Sequence, residues 1–534
     1  MGEEEKEANS IARAAGLVSA LILFSRLLGL VREQLFAALL GAGLHADAFR
    51  IAFRIPNLLR DMFAEGALSA AFVPTYARVL KEEGREGAHR LASRLLTLLA
   101  VVLGILALVA IAFARPLVAL LAPGFEQVPG KTEVTVLLTR IMIPFLPLVS
   151  FAAVAMGMLN AEERFGPPAL ASSMFNVVAI LWGVGLWALG FDAGQVVIGW
   201  AVGTLLGGIA QFAVQVPPLR ERGWRFVPEW APGDPGIRRI GSLMGPATVG
   251  LAAVQVNIFV NSIFASHEPG AVSWLEYAFR ILYLPIGLFG VAVGTVATSG
   301  LARRAAEADM NGLRATVRQA LSIVTFLTIP ATVGIVVLAG PIVRLLYERG
   351  RFSPHDTAST ASALWIYSLG LVAYTSIKVL APAFYALGTP RVPLLASALA
   401  VTTNLLINLL TFQRFGYRAV ALGASLGAIA STLVLVVALQ RRLGGVIDRE
   451  VASRLGRILV AAVLMAPVAW LSWRGLEGAL GTHGLLRQAL TCLVPVGLGV
   501  LAFGGATALL GLREARQILG LLRSLRQPHP PATP

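Results

Sequence analysis

The sequence predicts an all-α polytopic membrane protein of about fourteen transmembrane helices, in two parallel-repeat six-helix lobes with two further C-terminal helices. Composition is the first reason. Of 534 residues, 56% are hydrophobic and 14% charged, more apolar surface than a water-soluble fold can cover. The second reason is length. Uncharged stretches at 95–114, 167–191, 240–266, 281–302, 392–413 and 419–440 each match the roughly 20 residues that a helix needs to cross a bilayer. The third is an internal repeat.

Taken in order, the expected spans are 14–41, 47–77, 91–114, 134–160, 167–190, 194–219, 238–266, 271–302, 315–339, 356–387, 391–413, 417–440, 455–473 and 488–512. The opening MGEEEKEANS is acidic and no small-residue cleavage site follows the first apolar run, so that run is expected to persist as a span rather than a secretory signal. One set of alternate loops carries Arg78, Lys81, Arg85 and Arg90, then Arg164, then Arg220, Arg222, Arg225, Arg238 and Arg239. The same side continues with Arg303, Arg304, Arg314, Arg391, Arg441, Arg442 and Arg449, and ends in a tail with Arg513, Arg516, Arg523 and Arg526. The opposite loops 41–46, 191–193 and 266–270 contain no Lys or Arg. This asymmetry predicts an inner-membrane protein with both termini in the cytoplasm. It also accounts for the net charge of +15 without a nucleic-acid partner. The loop with Arg344, Arg349 and Arg351 breaks the pattern and is expected to form a short amphipathic helix on the outer surface.

The repeat is legible as recurring strings. AFRI at 52–55 returns at 278–281, a shift of 278 − 52 = 226. Pro116-Leu-Val-x-Leu-Leu returns as Pro341-Ile-Val-x-Leu-Leu and Pro168-x-Leu-Ala-Ser as Pro393-x-Leu-Ala-Ser, both shifted by 225. That shift equals six spans, so both copies share one orientation, as in transporters whose lobes surround an axis along the membrane normal. The expected organisation is a first lobe at 1–225, a second at 226–445, two helices lining a lipid groove at 446–515 and a tail at 516–534. A substrate site is expected between the lobes, near the midplane.

Several chemistries are disfavoured. Gly423-Ala-Ser-Leu-Gly427 matches a nucleophile elbow, but that motif needs a strand-to-helix turn; within an apolar helix its small residues serve close packing. Gly130-Lys131-Thr132 resembles the end of a phosphate-binding loop, yet the upstream glycine position holds Phe125. The six histidines show no metal-ligand spacing and the single Cys492 excludes an internal disulfide. No metal, no cofactor and no enzymatic activity is expected.

The chemistry lies in charges within the spans. The first contains Arg26, Arg32 and Glu33; the second contains Arg50, Arg54, Arg60, Asp61 and Glu65; Arg280 opens the eighth and Lys378 sits in the tenth. An arginine at a span's centre costs roughly 2.5–3.5 kcal/mol on insertion scales, so it is a functional candidate by default. Arg50 and Arg78, near span ends, read as neutralised or snorkelling cations. Arg26, Arg32, Arg60 and Arg280 read as ligands, because guanidinium forks grip phosphate bidentately and stay charged. A cationic cavity between apolar walls suits an amphiphile with an anionic head.

FSRLLGLVRE (24–33) and ADAFRIAFRIPNLLRDMFAEGALSAAFVPTYA (46–77) closely resemble the signature of the MurJ (MviN) lipid II flippases. So do GPA (245–247), VSWLEYAFRILYLPIGLFGVAVGT (272–295) and KVLAPAFYALGTP (378–390). The resemblance implies the fold of the MOP exporter superfamily. It also implies export of undecaprenyl-diphosphate-linked disaccharide-pentapeptide for peptidoglycan, and hence for the cell wall and cell shape. Transport would proceed by alternating access, driven by membrane potential or an ion gradient, in a protein expected to be monomeric among membrane lipids. The family's cavity arginines fall on Arg26, Arg32, Arg60 and Arg280, and its preceding serine on Ser25. Glu33, Asp47, Arg54, Asn57, Glu65 and Lys378 fall in supporting or gating positions. Two acids common in the family are replaced here by Phe279 and Tyr283, and the seventh and eleventh spans lack the acid that a sodium site would use. The alternative cargo is another polyprenyl-diphosphate-linked sugar, or a drug carried by a related MOP exporter.

Overall fold

The computed structural model describes residues 3–60 and 68–512, with the side chains of 1–19, 22, 59 and 246–254 outside the description. Secondary structure among the described residues is helical, without a strand. Among the described residues, ten helices are long and apolar enough to cross a membrane, or eleven when one bent pair is taken as a single span. The chain divides into two compact units, one of 1–273 with 349–353, the other of 274–348 with 354–534.

The first unit begins with α1 (Glu3–Leu40), α2 (Leu44–Arg60) and α3 (Ser69–Ala112), followed by the short α4 (Ala114–Leu121) and a 3-10 turn at Pro123–Gln127. It continues through α5 (Lys131–Met142), α6 (Phe145–Ala161), α7 (Gly166–Ala188), α8 (Ala193–Ala213), α9 (Val216–Glu221) and α10 (Pro235–Ala265). α3 joins the end of the expected second span to the third, with a break at Gly84 (φ 73, ψ −171). The expected span 134–160 is two helices, α5 and α6, parted at Pro144, whose missing N–H leaves one carbonyl of the preceding turn without its helical donor. Phe72, Tyr76, Leu91, Phe145, Met158 and Trp224 build the core between α3, α6 and the segment leading to α10.

The second unit holds most of α11 (Ala271–Pro285), a π-helical segment at Ile286–Val291, α12 (Ala292–Ala306) and α13 (Met310–Tyr347). After these come α14 (Pro354–Ser368), α15 (Leu371–Ala386), α16 (Arg391–Phe415), α17 (Tyr417–Leu443), α18 (Arg449–Leu480) and α19 (Leu485–Leu509). Phe326 of α13 meets Ile458, Ala461, Met465 and Phe503, which seats the last two helices. The expected span 356–387 is a bent pair, α14 and α15, at 45°.

The repeat recurs in the backbone. Helical geometry lapses at Phe113 (φ −95, ψ 20) and again at Leu338 (φ −109, ψ 16), 338 − 113 = 225 residues later. The α5–α6 break at 143–144 is matched by the α14–α15 break at 369–370. The expected amphipathic helix around Arg344, Arg349 and Arg351 is corrected here. Arg344 belongs to the bent last part of α13, whereas Arg349 and Arg351 lie beyond it in a non-helical strap that packs in the first unit.

Candidate functional site

On α1, Arg26 is exposed and Ser25 and Arg32 are half-buried. α7 fixes this segment twice. The Arg32 guanidinium lies 5.1 Å from the Phe175 ring centroid, and the Asn176 amide donates to the Ser25 carbonyl at 3.1 Å. Glu33 is buried and accepts from Arg50 of α2 at 2.6 Å, with the Arg50 guanidinium 5.2 Å from the Phe36 ring. Glu33 therefore holds the cation that sequence reading placed outside the ligand set. Arg54 donates to the Ser262 hydroxyl on α10. Arg50, Arg54 and Asn57 follow at spacings of four and three on one face of α2, and Arg60 is the last described residue of the helix. Asp61 and Glu65 lie outside the described residues.

Asp47 begins that same helix from a fully buried position. One carboxylate oxygen accepts from the Ser273 amide at 2.9 Å and the Ser273 hydroxyl at 2.7 Å. The other accepts from the Gly270 amide and the Lys131 ammonium, each at 2.8 Å. Lys131 is fully buried, its ammonium 4.1 Å from the Phe125 ring centroid. Two charges survive burial only when paired and hydrogen-bonded, and here Asp47 receives four donors. Lys131 was seen in the sequence only as part of a rejected phosphate loop. The 225-residue repeat was the available signal: it carries Lys131 onto Asp356, which is buried and accepts from the Trp274 indole at 2.9 Å. Asn176 and Phe175 carried no such signal.

In the second unit Arg280 lies on α11, 3.8 Å from Glu276 one turn earlier. Phe279, where a carboxylate is common in the family it resembles, packs edge-on against Tyr367 and Tyr374, at 5.4 and 6.0 Å between centroids, and lies 6.5 Å from Tyr283. Lys378 is exposed on α15, and its backbone carbonyl faces Gly294 of α12. The elbow-like Gly423–Gly427 string is a packing seam, since a Cβ at Gly423 would stand 2.5 Å from the Asn404 side chain and one at Gly427 2.6 Å from the Ala400 carbonyl.

Outside the spans, burial lowers the pKa of His89, which Glu162 opposes from 3.7 Å. Glu162 also accepts from Tyr76 at 3.2 Å and lies 3.4 Å from Arg222. Among the described residues no group of three His, Cys, Asp or Glu could hold a metal. What the arrangement offers is cationic hydrogen-bond donors on apolar helices, suited to phosphate oxygens.

The family model for lipid II flippase MurJ matches residues 36–489. A probable lipid II flippase MurJ of Vibrio cholerae serotype O1 is 34% identical over 516 residues, covering 93% of this chain and 95% of the relative. The lipid II flippase MurJ of Burkholderia cenocepacia is 34% identical over 438 residues, 81% of this chain and 84% of that one. A solved structure of lipid II flippase MurJ in an inward closed conformation aligns with TM-score 0.76 at 25% identity, over 92% of this chain and 98% of that one. An inward-facing multidrug resistance MATE family transporter of the MOP superfamily shares the fold, with TM-score 0.66 at 18% identity over 81% and 98% of the two chains. With the membrane helices, the intramembrane arginines and these matches together, the chain belongs to the MurJ lipid II flippase family.

Proposed function

We propose that this protein carries lipid II from the inner to the outer leaflet of the bacterial cytoplasmic membrane by alternating access, and that it is not an enzyme. Arg26, Arg32, Arg60 and Arg280 bind the diphosphate, and the polyprenyl tail follows a groove at the two C-terminal helices. Two six-helix lobes and two C-terminal helices make fourteen spans with both termini in the cytoplasm, and the protein works as a monomer. The observation that carries this reading is the set of arginines within apolar helices of a chain belonging to this family. No ATP is needed: a transmembrane potential supplies about 2.3 kcal/mol per elementary charge per 100 mV, enough to bias a cycle that moves an anionic head past fixed cations.

The test uses cells depleted of their own flippase and an externally added enzyme that cleaves lipid II. Wild-type protein is expected to restore cleavage, and Arg280→Ala at equal membrane level is expected to lose most of it. Restoration by both would remove Arg280 from the site while keeping the function. Failure of both, with good expression, would point to a different polyprenyl-linked cargo.

A further inference from the structure

Two loops at equivalent repeat positions grip the ends of two equivalent helices. Each belongs to one repeat and seats on the first helix of the other. The turn after α4 brings Gly124 against the end of α10, where the Gly124 amide donates to the Ser266 hydroxyl at 3.0 Å. A Cβ on Gly124 would stand 2.5 Å from the backbone of Ser266 and His267. The strap after α13 does the same at the end of α1: the Arg351 amide donates to the Ala38 carbonyl at 2.8 Å. Gly350, at φ +58, lies so near that carbonyl that an added Cβ would overlap it, and a Cβ on Gly41, at φ +66, would stand 2.6 Å from the Arg351 carbonyl.

The correspondence is numerical. Gly350 follows Gly124 by 350 − 124 = 226, and His267 follows Gly41 by the same 226. Between the two grips lies the Asp47–Ser273 contact, also 226 residues apart, joined by Lys131 just after the first loop. Phe125 and Phe352 are buried beside the two glycines. The loops they hold, 41–46 and 266–270, are two of the three opposite loops without Lys or Arg.

We propose that residues 122–128 and 349–353 form one reciprocal latch, keyed by Gly124 and Gly350, that closes the face opposite the basic loops and releases in each transport cycle. Both grips rely on a backbone N–H donor, to the Ser266 hydroxyl in one and the Ala38 carbonyl in the other, approached through a missing side chain, so each is tight when seated and leaves no bulky group in the way when it parts. The Asp47–Lys131 pair ties the two, because Lys131 is anchored to the first loop's turn and Asp47 to the chain that follows α10. The release step rests on the transport function proposed above; the latch itself does not.

The experiment is backbone hydrogen–deuterium exchange on the full-length protein in lipid nanodiscs, alongside the lipid II accessibility assay. Gly350→Ala and Gly124→Ala are compared with Gly388→Ala, which has a similar φ of +66 but nothing within 4 Å of the added Cβ, and with Gly43→Ala, which also meets nothing. Ser266→Ala removes the acceptor for Gly124 without adding bulk. Each latch variant is expected to speed exchange about tenfold or more at its own grip and at the distant one, 38–41 with 349–353 and 123–128 with 264–268 together. The two control variants are expected to leave both grips protected. Exchange that rises only at the substituted loop, or equally in the controls, would overturn a coupled latch. Coupled exchange with unchanged export would overturn its release in the cycle. A wild type that shows protection but exports no lipid II would instead count against the proposed cargo, leaving the latch standing.

Discussion

Lys131 puts an ammonium where a lysine is rarely found, with its side chain 1% exposed and its charge set against Asp47 at 2.8 Å. Replacing it with methionine would strand a buried carboxylate, which typically costs 3–5 kcal/mol. A fall of several degrees in the unfolding midpoint of detergent-solubilised Lys131→Met checks this, and an unchanged midpoint would contradict the pairing. His45 supplies a second residue-level prediction. Its imidazole is held below the usual histidine range, first by burial and then by Arg351, with Asp192 pulling the other way. The folded state thus favours the neutral ring, so His45 contributes stability that is present near neutral pH and lost as pH falls below the ordinary value of 6.5. Comparing melts at about pH 7.5 and about pH 5.5, His45→Gln is expected to lose less stability on acidification than wild type. At this scale the sequence was informative about residue type and poor about partners. Arginines inside spans stand out because their burial is costly, whereas the assignment of Glu33 to Arg50 depends on how α1 and α2 pack and leaves no trace in spacing.

Each repeat ends by clamping the helix that comes next. Arg94 of α3 lies 2.6 Å from Glu229 and 2.5 Å from Asp234, the N-cap of α10. Arg318 of α13 lies 2.7 Å from Asp448, the N-cap of α18. The Asp448 carboxyl is held below the usual carboxylate range by the Val451 amide first and by Arg318 after it. Asp234→Ala should cost about 1 kcal/mol through the lost cap, and a shift in unfolding midpoint tests it. The α16–α17 seam is more demanding: Gly427→Leu would drive a side chain into the Ala400 backbone, with an overpacking cost of about 1–3 kcal/mol in the same melt. Most helices were legible because uncharged runs of bilayer length admit few other readings. Their interruptions were not. The parting of α5 from α6 at Pro144 and the bend between α14 and α15 occur within predominantly apolar stretches, and hydropathy does not distinguish a bent helix from a straight one. The Pro and Gly at these places were present as weak markers.

Over the whole molecule, the distribution of Lys and Arg predicts that reporters fused at either terminus face the cytoplasm, and that one inserted at 266–270 faces outside. Reversal at either terminus would invalidate the proposed topology, and with it the face assigned to the latch. The repeat was legible in three short strings, but its physical meaning emerged only from backbone placement. Its copies share breaks at Phe113 and Leu338 while their buried charges differ, Lys131 in one and Asp356 in the other. Pairing of that kind conserves geometry and lets each copy settle its own electrostatics.

The strap at 349–353 also sets a schedule for biosynthesis. The end of α1 takes its hydrogen-bonding partner from a residue 351 − 38 = 313 positions later in the chain. At roughly 5–20 residues per second of translation, the first helix waits on the order of 15–60 s for that partner to be made. During this interval the insertion machinery holds an α1 whose outer end is unfinished. A nascent chain stopped before residue 349 should therefore expose that end to labelling, and one extended beyond α14 should protect it.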